Sequence, residues 1–307
     1  MGRHLPVLSA EVLDALAIRK QGVYLDATFG RGGHSREILS RLGSSGRLYA
    51  MDRDPEAIAV ARELEDADPR FQVFYGPFSD IARFMGEAGV AGRIDGILFD
   101  LGVSSPQFDD PSRGFSFSHD GPLDMRMDNG TGKTAAEWLA HADEREIALV
   151  LRRYGEEPRA RRIAAAIAAF RGGAALTRTG QLAEIVCSVV PRRPRAHHPA
   201  TRTFQALRIF INRELDELRD ALAATLDLLS SGGRLVVISF HSLEDRIVKR
   251  FMRDHARPDP VYAGLPDMPP SARPSLQLVA KPSKAQSAEI EANPRSRSAI
   301  LRVAERL

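Results

Sequence analysis

Over the first hundred of its 307 residues, the chain alternates between short apolar segments and helical patterns. The apolar segments predict β-strands at 23–27, 48–51, 71–75 and 94–99. Helices are expected between them at 34–42, 55–64 and 79–85, the second one capped by Asp54 with Pro55 at its first position. Strands that alternate with helices form a parallel sheet with right-handed crossovers. The sequence therefore predicts an α/β fold.

A long interruption follows the fourth strand. The next convincing strand is 235–240, so the 125 residues of 108–232 lie between the two. A crossover helix and its loops need only about 30 residues. We therefore expect a second domain inserted into the first, with the sheet domain formed by 1–107 and 211–307 and the insert by 108–210.

The insert is predicted to be mainly helical. Its first part, 108–132, is rich in Gly, Pro and Asp and favours irregular structure. Helical patterns follow at 135–141, 144–153, 159–170 and 181–190. Apolar residues then recur at spacings of three and four over 204–226, which predicts one amphipathic helix leading back to the sheet. Beyond the next strand we expect a helix at 243–255, a loop at 258–282 and a last strand at 299–303.

The composition excludes several classes of protein. With 43% hydrophobic and 27% charged residues, the chain is neither disordered nor a coiled coil. Its longest wholly apolar run has eight residues, whereas a membrane span needs about 20. The single cysteine, Cys187, has apolar neighbours and is expected to be buried; it allows neither a disulfide framework nor a multi-thiolate zinc site. We expect a cytoplasmic protein without a membrane partner and without a metal.

A glycine loop after the first strand predicts a cofactor site. Gly30, Gly32 and Gly33 let the backbone approach a ligand at a helix N-terminus. Asp52 follows Gly32 by 20 positions and ends the second strand, where an acid accepts hydrogen bonds from a ribose. Asp26 precedes the glycines and no lysine follows them, which favours the cationic, phosphate-free S-adenosylmethionine (AdoMet). A dinucleotide or a purely structural turn stays an alternative.

Asp100 ends the fourth strand, and the segment 101–107 follows it. Ligands of open parallel sheets bind beyond the carboxyl ends of the strands. A carboxylate at this place can hold the cofactor or orient an amine substrate, although Asp is also common as a turn former.

Positive charge is concentrated in the insert. Residues 151–210 contain twelve arginines, no lysine and three glutamates and carry +9, so the rest of the chain carries −6 because the total is +3. This segregation predicts a polyanionic partner. Arg192, Arg193 and Arg195 form a proline-stiffened basic loop suited to a phosphate backbone, and Arg202 follows it. The alternative is an arginine surface neutralised by acids of the other domain.

Ten motifs in this order resemble the ribosomal RNA small subunit methyltransferase H family, which methylates the exocyclic N4 of a cytidine in the decoding region of bacterial 16S rRNA. They are HLPVL at 4–8, DATFGRGGHS at 26–35, DRD at 52–54, FDLGVSSPQ at 99–107, RGFSF at 113–117, GPLDMRM at 121–127, YGEE at 154–157, HPATRTFQALR at 198–208, SFHSLEDR at 239–246 and NPRSRS at 293–298.

The resemblance implies a Rossmann-like class I AdoMet-dependent methyltransferase sheet with an inserted, mainly helical RNA-recognition domain. It implies 16S rRNA within the 30S subunit as the partner and allows a homodimer. The cofactor contacts implied by position are Gly32, Gly33, His34, Asp52, Phe78, Asp100 and Gln107. Of these, Phe78 and Gln107 rest on the resemblance alone.

An exocyclic amine must be oriented toward the methyl group and must donate hydrogen bonds as charge develops on it. Asp100 with Ser104 or Ser105 is our candidate catalytic set. The base-stacking aromatic that follows the fourth strand in many DNA amine methyltransferases is missing here, so Phe115 and Phe117 are the nearest candidates.

Three further residues, His241, Glu244 and Asp245, follow the fifth strand. They either face the pocket or form a helix-capping cluster with Ser242. Two other functions stay open from the residues alone. They are a non-catalytic small-subunit assembly factor that binds rRNA and AdoMet, and an NAD-dependent oxidoreductase.

Overall fold

In the computed structural model of the protein, residues 6–191, 198–258, 260–262, 269 and 272–307 are described. The chain forms two compact units. The first, here called the sheet unit, comprises Met1–Gly102 and Leu215–Leu307, and the second, the helical unit, comprises Val103–Glu214. The sequence placed these junctions after residues 107 and 210.

The sheet unit is built on one mixed sheet. Its strands are β1 (Val23–Asp26), β2 (Arg47–Asp52), β3 (Phe71–Tyr75), β4 (Ile94–Asp100), β5 (Leu229–Ser239), β6 (Leu276–Leu278), β7 (Ser283–Lys284) and β8 (Ile300–Arg306). Among the described residues their order is β3-β2-β1-β4-β5-β8-β6, with β7 paired to β8. The first five strands run parallel, and β8 is antiparallel to β5. The predicted α/β, Rossmann-like fold is confirmed.

Helices cover both faces of this sheet. They are α1 (Ser9–Leu16), α2 (Gly33–Arg41), α3 (Pro55–Ala67), α4 (Ile81–Glu87), α11 (Glu214–Leu228), α12 (Ser242–His255) and α13 (Ser287–Ala292). Because side chains alternate along a strand, Leu25 and Ile97 pack with α4, α11 and α12, whereas Tyr24 and Leu98 pack with α1, α2 and α3. Asp54 caps α3 as predicted, since its carboxylate accepts from the N–H of Glu56.

The helical unit contains α5 (Ser105–Asp109), α6 (Ala135–His141), α7 (Glu144–Gly155), α8 (Ala160–Arg171), α9 (Thr179–Val189) and α10 (Thr201–Ile211). Apart from a short 3-10 turn at Pro111–Arg113, the segment between α5 and α6 has no regular helix. The helices enclose one apolar core that includes Leu151, Ile163, Leu182 and Leu207.

The single helix predicted at 204–226 is wrong, because α10 and α11 are separate helices. Asn212 between them is buried, and its Nδ2 donates to the carbonyls of Met125 (2.7 Å) and Arg208 (2.8 Å) while its Oδ1 accepts from the N–H of Met127 (2.7 Å). Arg213 takes a left-handed conformation with φ 52°. These contacts end α10, although the apolar periodicity continues through the break.

Two further expectations need correction. The predicted loop at 258–282 includes β6, a short edge strand that pairs with β8. Cys187, near the end of α9, is exposed, because its neighbours Ile185 and Val186 occupy the side of the helix that faces the core. Within the described residues, no helix has the length and apolar character needed to cross a membrane.

Candidate active site

The strand order places a crevice at the carboxyl ends of β1 and β4. From β1 the chain builds the sheet outward through β2 and β3, and from β4 it builds outward through β5 in the opposite direction. Ligands of open α/β sheets bind at such a reversal. Asp26 and Asp100 end the two central strands, and Asp52 ends β2. All three carboxylates therefore lie along one edge of the sheet.

The glycine loop between β1 and α2 requires glycine for its shape. Gly30 and Gly32 have φ angles of 57° and 74°, in the left-handed region. A Cβ at Gly32 would lie 2.5 Å from Cζ of Phe29. At Gly33, where α2 begins, a Cβ would lie 3.1 Å from Cβ of Pro6. The loop thus presents bare backbone and free helix N–H groups at the crevice.

Asp52 ties this loop to the end of β2. Its Oδ2 accepts from the N–H of Gly30 (2.7 Å), and its Oδ1 accepts from the N–H of Asp54 (2.9 Å). Burial raises the pKa of Asp52 to about 6, against hydrogen bonds that act in the opposite direction. A carboxylate has about four acceptor positions. Asp52 can therefore accept further hydrogen bonds, such as those from the two hydroxyls of a ribose.

Both carboxylate oxygens of Asp26 accept hydrogen bonds from the chain itself. Asp26 is 1% exposed, its Oδ2 accepts from the hydroxyl of Ser35 (2.7 Å), and its Oδ1 accepts from the N–H of Thr28 (3.2 Å). Burial raises the pKa of Asp26. Thr28 in turn accepts from the N–H of Asp100 (2.6 Å), so the ends of β1 and β4 are linked. No role for the hydroxyls of Thr28 and Ser35 was identified from the sequence. Their position in the segment 26–35 is the only feature of the sequence that points to them.

His34 and Asp100 lie side by side in the crevice with unused polar atoms. His34 is 5% exposed, and its Nε2 lies 3.6 Å from Oδ2 of Asp100, beyond hydrogen-bond distance. Within the described residues, neither ring nitrogen of His34 nor Oδ1 of Asp100 has a hydrogen-bond partner. Burial lowers the pKa of His34, but the carboxylates of Asp100, Asp26 and Glu37 outweigh it and raise the pKa above its usual value.

Unpartnered buried polar atoms are rare in folded proteins and call for an explanation. Here they border a glycine cradle and an acid suited to a ribose. Together these features fit a polar, cationic nucleoside ligand such as AdoMet. Phe78 lies along the same edge, in the turn after β3; it is half-buried and its ring packs edge-on against Phe99 at 6.0 Å.

The other predicted contacts, Ser104, Ser105 and Gln107, belong to the helical unit. They form the first turn of α5, where the buried Gln107 accepts from the N–H of Ser104 through Oε1 (2.9 Å). This arrangement is a capping box, which fixes both side chains at the start of the helix. The catalytic role of the two serines and the cofactor contact of Gln107 stay predictions.

The capping interpretation of His241, Glu244 and Asp245 is confirmed. His241 is the N-cap of α12, and Oε2 of Glu244 accepts from the N–H groups of Phe240 (2.9 Å) and His241 (3.2 Å). Asp245 forms a two-pronged ion pair with Arg302 (2.7 and 3.0 Å). These side chains therefore hold the helix to the end of the sheet.

Of the residues predicted to contact RNA, Arg202 is among those that the structure describes. Arg202 is exposed at the start of α10, where its guanidinium donates to the carbonyl of Glu156 (3.2 Å). Arg192, Arg193 and Arg195 lie outside the described residues. The expectation that Phe115 stacks a base is wrong, because its ring is buried in the core of the helical unit.

Phe117, the other stacking candidate, already has an aromatic neighbour. Its ring stacks on that of His198 with centroids 4.5 Å apart and packs edge-on against Phe204 at 4.9 Å. The structure therefore places Phe117 within an aromatic cluster of the helical unit.

Over residues 1–307 the chain matches the model of the MraW methylase family. The ribosomal RNA small subunit methyltransferase H of Azoarcus sp. strain BH72 is 58% identical to it, with 99% of this chain and 97% of that protein covered. The protein of the same name from Shewanella amazonensis is 55% identical, with 99% and 97% covered. Among solved structures, an rRNA methylase from Streptococcus thermophilus aligns with a TM-score of 0.41 and 11% identity, covering 97% of this chain and 93% of that one.

Proposed function

The chain belongs to the MraW methylase family, and we propose that it methylates the exocyclic N4 of a cytidine in the decoding region of 16S ribosomal RNA. It is an AdoMet-dependent methyltransferase, and relatives that cover nearly its full length are named for the RNA of the small ribosomal subunit. The structural observation that carries the proposal is the crevice in which Asp100 keeps an unpartnered carboxylate oxygen beside the glycine loop. Family membership favours this function over an assembly factor or an oxidoreductase.

For the proposed cofactor contacts of the sheet unit, the residues suggest the following roles. Asp52 would accept hydrogen bonds from the ribose hydroxyls, and Phe78 would pack against the adenine ring. Gly33 and His34 would offer free N–H groups of the first turn of α2, and Gly32, whose own N–H donates to the carbonyl of Phe29 (2.8 Å), would let the backbone approach the ligand. When bound, AdoMet supplies an electrophilic methyl group on a sulfonium centre.

The protein must also activate a poor nucleophile, because the lone pair of the cytosine amine is delocalised into the ring. Oδ1 of Asp100 would accept a hydrogen bond from an N4–H, which orients the amine and stabilises the positive charge as the N–C bond forms and the S–C bond of the sulfonium breaks. The extra N4 proton would then pass by way of this carboxylate to solvent, and the thioether would be the leaving group. Ser104 or Ser105 is proposed to help position the amine. The target base is expected to leave its stack to reach the crevice, at a cost of about a few kcal/mol.

The helical unit is proposed to hold the RNA. Its segment 151–210 carries +9, and Arg192, Arg193, Arg195 and Arg202 are the proposed phosphate contacts. We propose the 30S subunit as the substrate particle and the cytoplasm as the compartment. The homodimer allowed by the family resemblance is testable by analytical ultracentrifugation.

Nucleoside mapping by mass spectrometry tests the function directly. 16S rRNA from cells lacking this protein is compared with rRNA from cells complemented with the wild type or with Asp100→Asn. The wild type alone should restore N4-methylcytidine in the decoding region. Restoration by Asp100→Asn at the wild-type level would contradict the role of the carboxylate, and an unchanged map in the deletion strain would refute the substrate.

A transfer assay in vitro separates methylation from assembly. Purified 30S particles and naked 16S rRNA are each incubated with protein and AdoMet labelled on the methyl group. Label on the 30S particles supports the proposed substrate. Tight binding of particles without transfer would instead support the assembly factor.

A further inference from the structure

Four arginines surround the turn between α7 and α8. Arg152 and Arg153 lie in the last turn of α7, and Arg161 and Arg162 lie in the first turn of α8. All four are exposed. The two helices pack against each other through a shared apolar core, and the four arginines lie at the two helix ends that this turn joins. They are here called the α7–α8 arginine surface.

These guanidinium groups are not neutralised by the part of the chain that the structure describes. Arg152, Arg161 and Arg162 have neither a hydrogen bond nor an ion pair there, and Arg153 lies over the ring of Tyr154 at 5.2 Å. In the sheet unit some exposed arginines, such as Arg41 and Arg257, also lack an ion pair among the described residues, but four pair with a nearby acid. Those four are Arg62, Arg83, Arg219 and Arg250.

A structural role in α8 does not explain Arg161 and Arg162. The N-terminus of a helix carries partial positive charge and favours acidic side chains. The first turn of α8 contains no acid, and its N-cap residue, Arg159, makes no side-chain capping hydrogen bond. The nearby Glu157 is buried, and it accepts from the N–H of Arg159 (2.9 Å). These two arginines therefore oppose the local field of the helix they start.

We propose that the α7–α8 arginine surface binds the phosphate backbone of the RNA substrate. The inference rests on the proposed function and deepens it. Guanidinium groups match phosphate oxygens in a bidentate geometry, and the surrounding segment has a strong excess of positive charge. Such contacts position an RNA without reading its bases.

The same surface is poorly suited to a membrane. A helix that lies on a lipid surface needs an apolar face to insert. On α7 and α8, as far as the structure describes them, Leu149 is the only large apolar side chain that is exposed. Binding to anionic vesicles is measured in the same test, as the result that would contradict an RNA contact.

The test compares two full-length quadruple variants that remove equal charge. One is Arg152→Gln/Arg153→Gln/Arg161→Gln/Arg162→Gln. The control is Arg62→Gln/Arg83→Gln/Arg219→Gln/Arg250→Gln. Binding to a 16S rRNA fragment that contains the decoding region is measured from 50 to 200 mM salt. AdoMet affinity, measured by calorimetry, reports whether each variant is correctly folded.

Each lost phosphate contact should reduce the steepness of the plot of log K for RNA binding against log salt concentration by about 0.7–0.9. For the four substitutions of the first variant, the slope should therefore be shallower by about three. The affinity gap to the wild type would then shrink about 60-fold between 50 and 200 mM salt. The control should keep the wild-type slope. In the transfer assay the loss in the first variant should fall on the KM for RNA.

The results also separate this inference from the proposed function. A wild-type slope in the first variant would overturn the surface even if methylation is confirmed. A selective loss of slope without any methyl transfer by the wild type would support the surface and refute the proposed reaction. A first variant that loses binding to anionic vesicles, but not to RNA, would reassign the surface to lipid and overturn the inference.

Discussion

The state of Asp52 predicts how cofactor affinity depends on pH. In the protein without cofactor, burial raises the pKa of this carboxyl from 3.8 to about 6. A folded-state pKa above the unfolded value means that ionisation disfavours the fold. The cost is absent below about pH 4, grows as the pH rises through 6, and reaches roughly 3 kcal/mol at higher pH.

Bound ribose hydroxyls would favour the ionised form of Asp52, because they donate hydrogen bonds to its carboxylate. AdoMet should therefore bind about tenfold more weakly at pH 5 than at pH 8, since one proton must leave Asp52 first. Titration calorimetry at both pH values measures the ratio. Asp52→Asn should weaken binding by about 10- to 100-fold at pH 8 and should lose the part of the pH dependence that belongs to this residue.

The same variant should raise the free energy of unfolding at pH 8 by up to about 2 kcal/mol. It removes a desolvated charge, but its amide NH2 cannot accept, so the N–H of either Gly30 or Asp54 loses its acceptor. Asp254→Asn, which changes an exposed carboxylate, is the matched control and should alter neither property. Equal AdoMet affinity at pH 5 and pH 8 in the wild type, or a less stable Asp52→Asn at pH 8, would refute this reasoning.

Three other substitutions test the structure independently. Gly32→Ala should lower the free energy of unfolding by about 1–2 kcal/mol and weaken AdoMet binding, because the position is left-handed and crowded; unchanged denaturation and calorimetry would contradict this. Asn212→Ala should cost about 2–4 kcal/mol by leaving the N–H of Met127 unpaired, as followed by Trp138 fluorescence in urea; a loss below about 1 kcal/mol would argue against these hydrogen bonds. Arg161→Glu should stabilise the protein by about 0.3–1 kcal/mol and weaken RNA binding, and a lower melting temperature would count against the helix-dipole argument.

Local signals account for what could be predicted of the fold. Strands β1 to β4 are short, apolar and bounded by turn residues, and Asp54 with Pro55 marks the start of α3 in the sequence itself. The break between α10 and α11 depends on Asn212, whose partners Met125 and Met127 lie more than eighty positions earlier. The three-residue strand β6 pairs only with the distant β8, so neither feature has a local signature.

The candidate site follows the same division. Asp52 and Asp100 were predictable because each ends a strand, and parallel strands bring their carboxyl ends to one edge. The roles of Thr28 and Ser35 were not, since they depend on which carboxylate or N–H each hydroxyl meets. Phe115 failed as a base-stacking candidate because its spacing along the chain says nothing about which side of the helical unit is core.

Two places in the molecule depart from the ordinary rules of side-chain placement. In the crevice, His34 and Asp100 are held with polar atoms that lack hydrogen-bond partners among the described residues. In the helical unit, Arg161 and Arg162 stand at the end of α8 that disfavours positive charge. Both arrangements cost stability, and within the described residues no hydrogen bond offsets either cost. Sequences keep such local conflicts mainly where a ligand resolves them. A cationic cofactor with ribose and amino groups would satisfy the first, and a phosphate backbone would satisfy the second. The proposed methyl transfer from AdoMet to RNA requires both ligands, so one reaction would account for both conflicts.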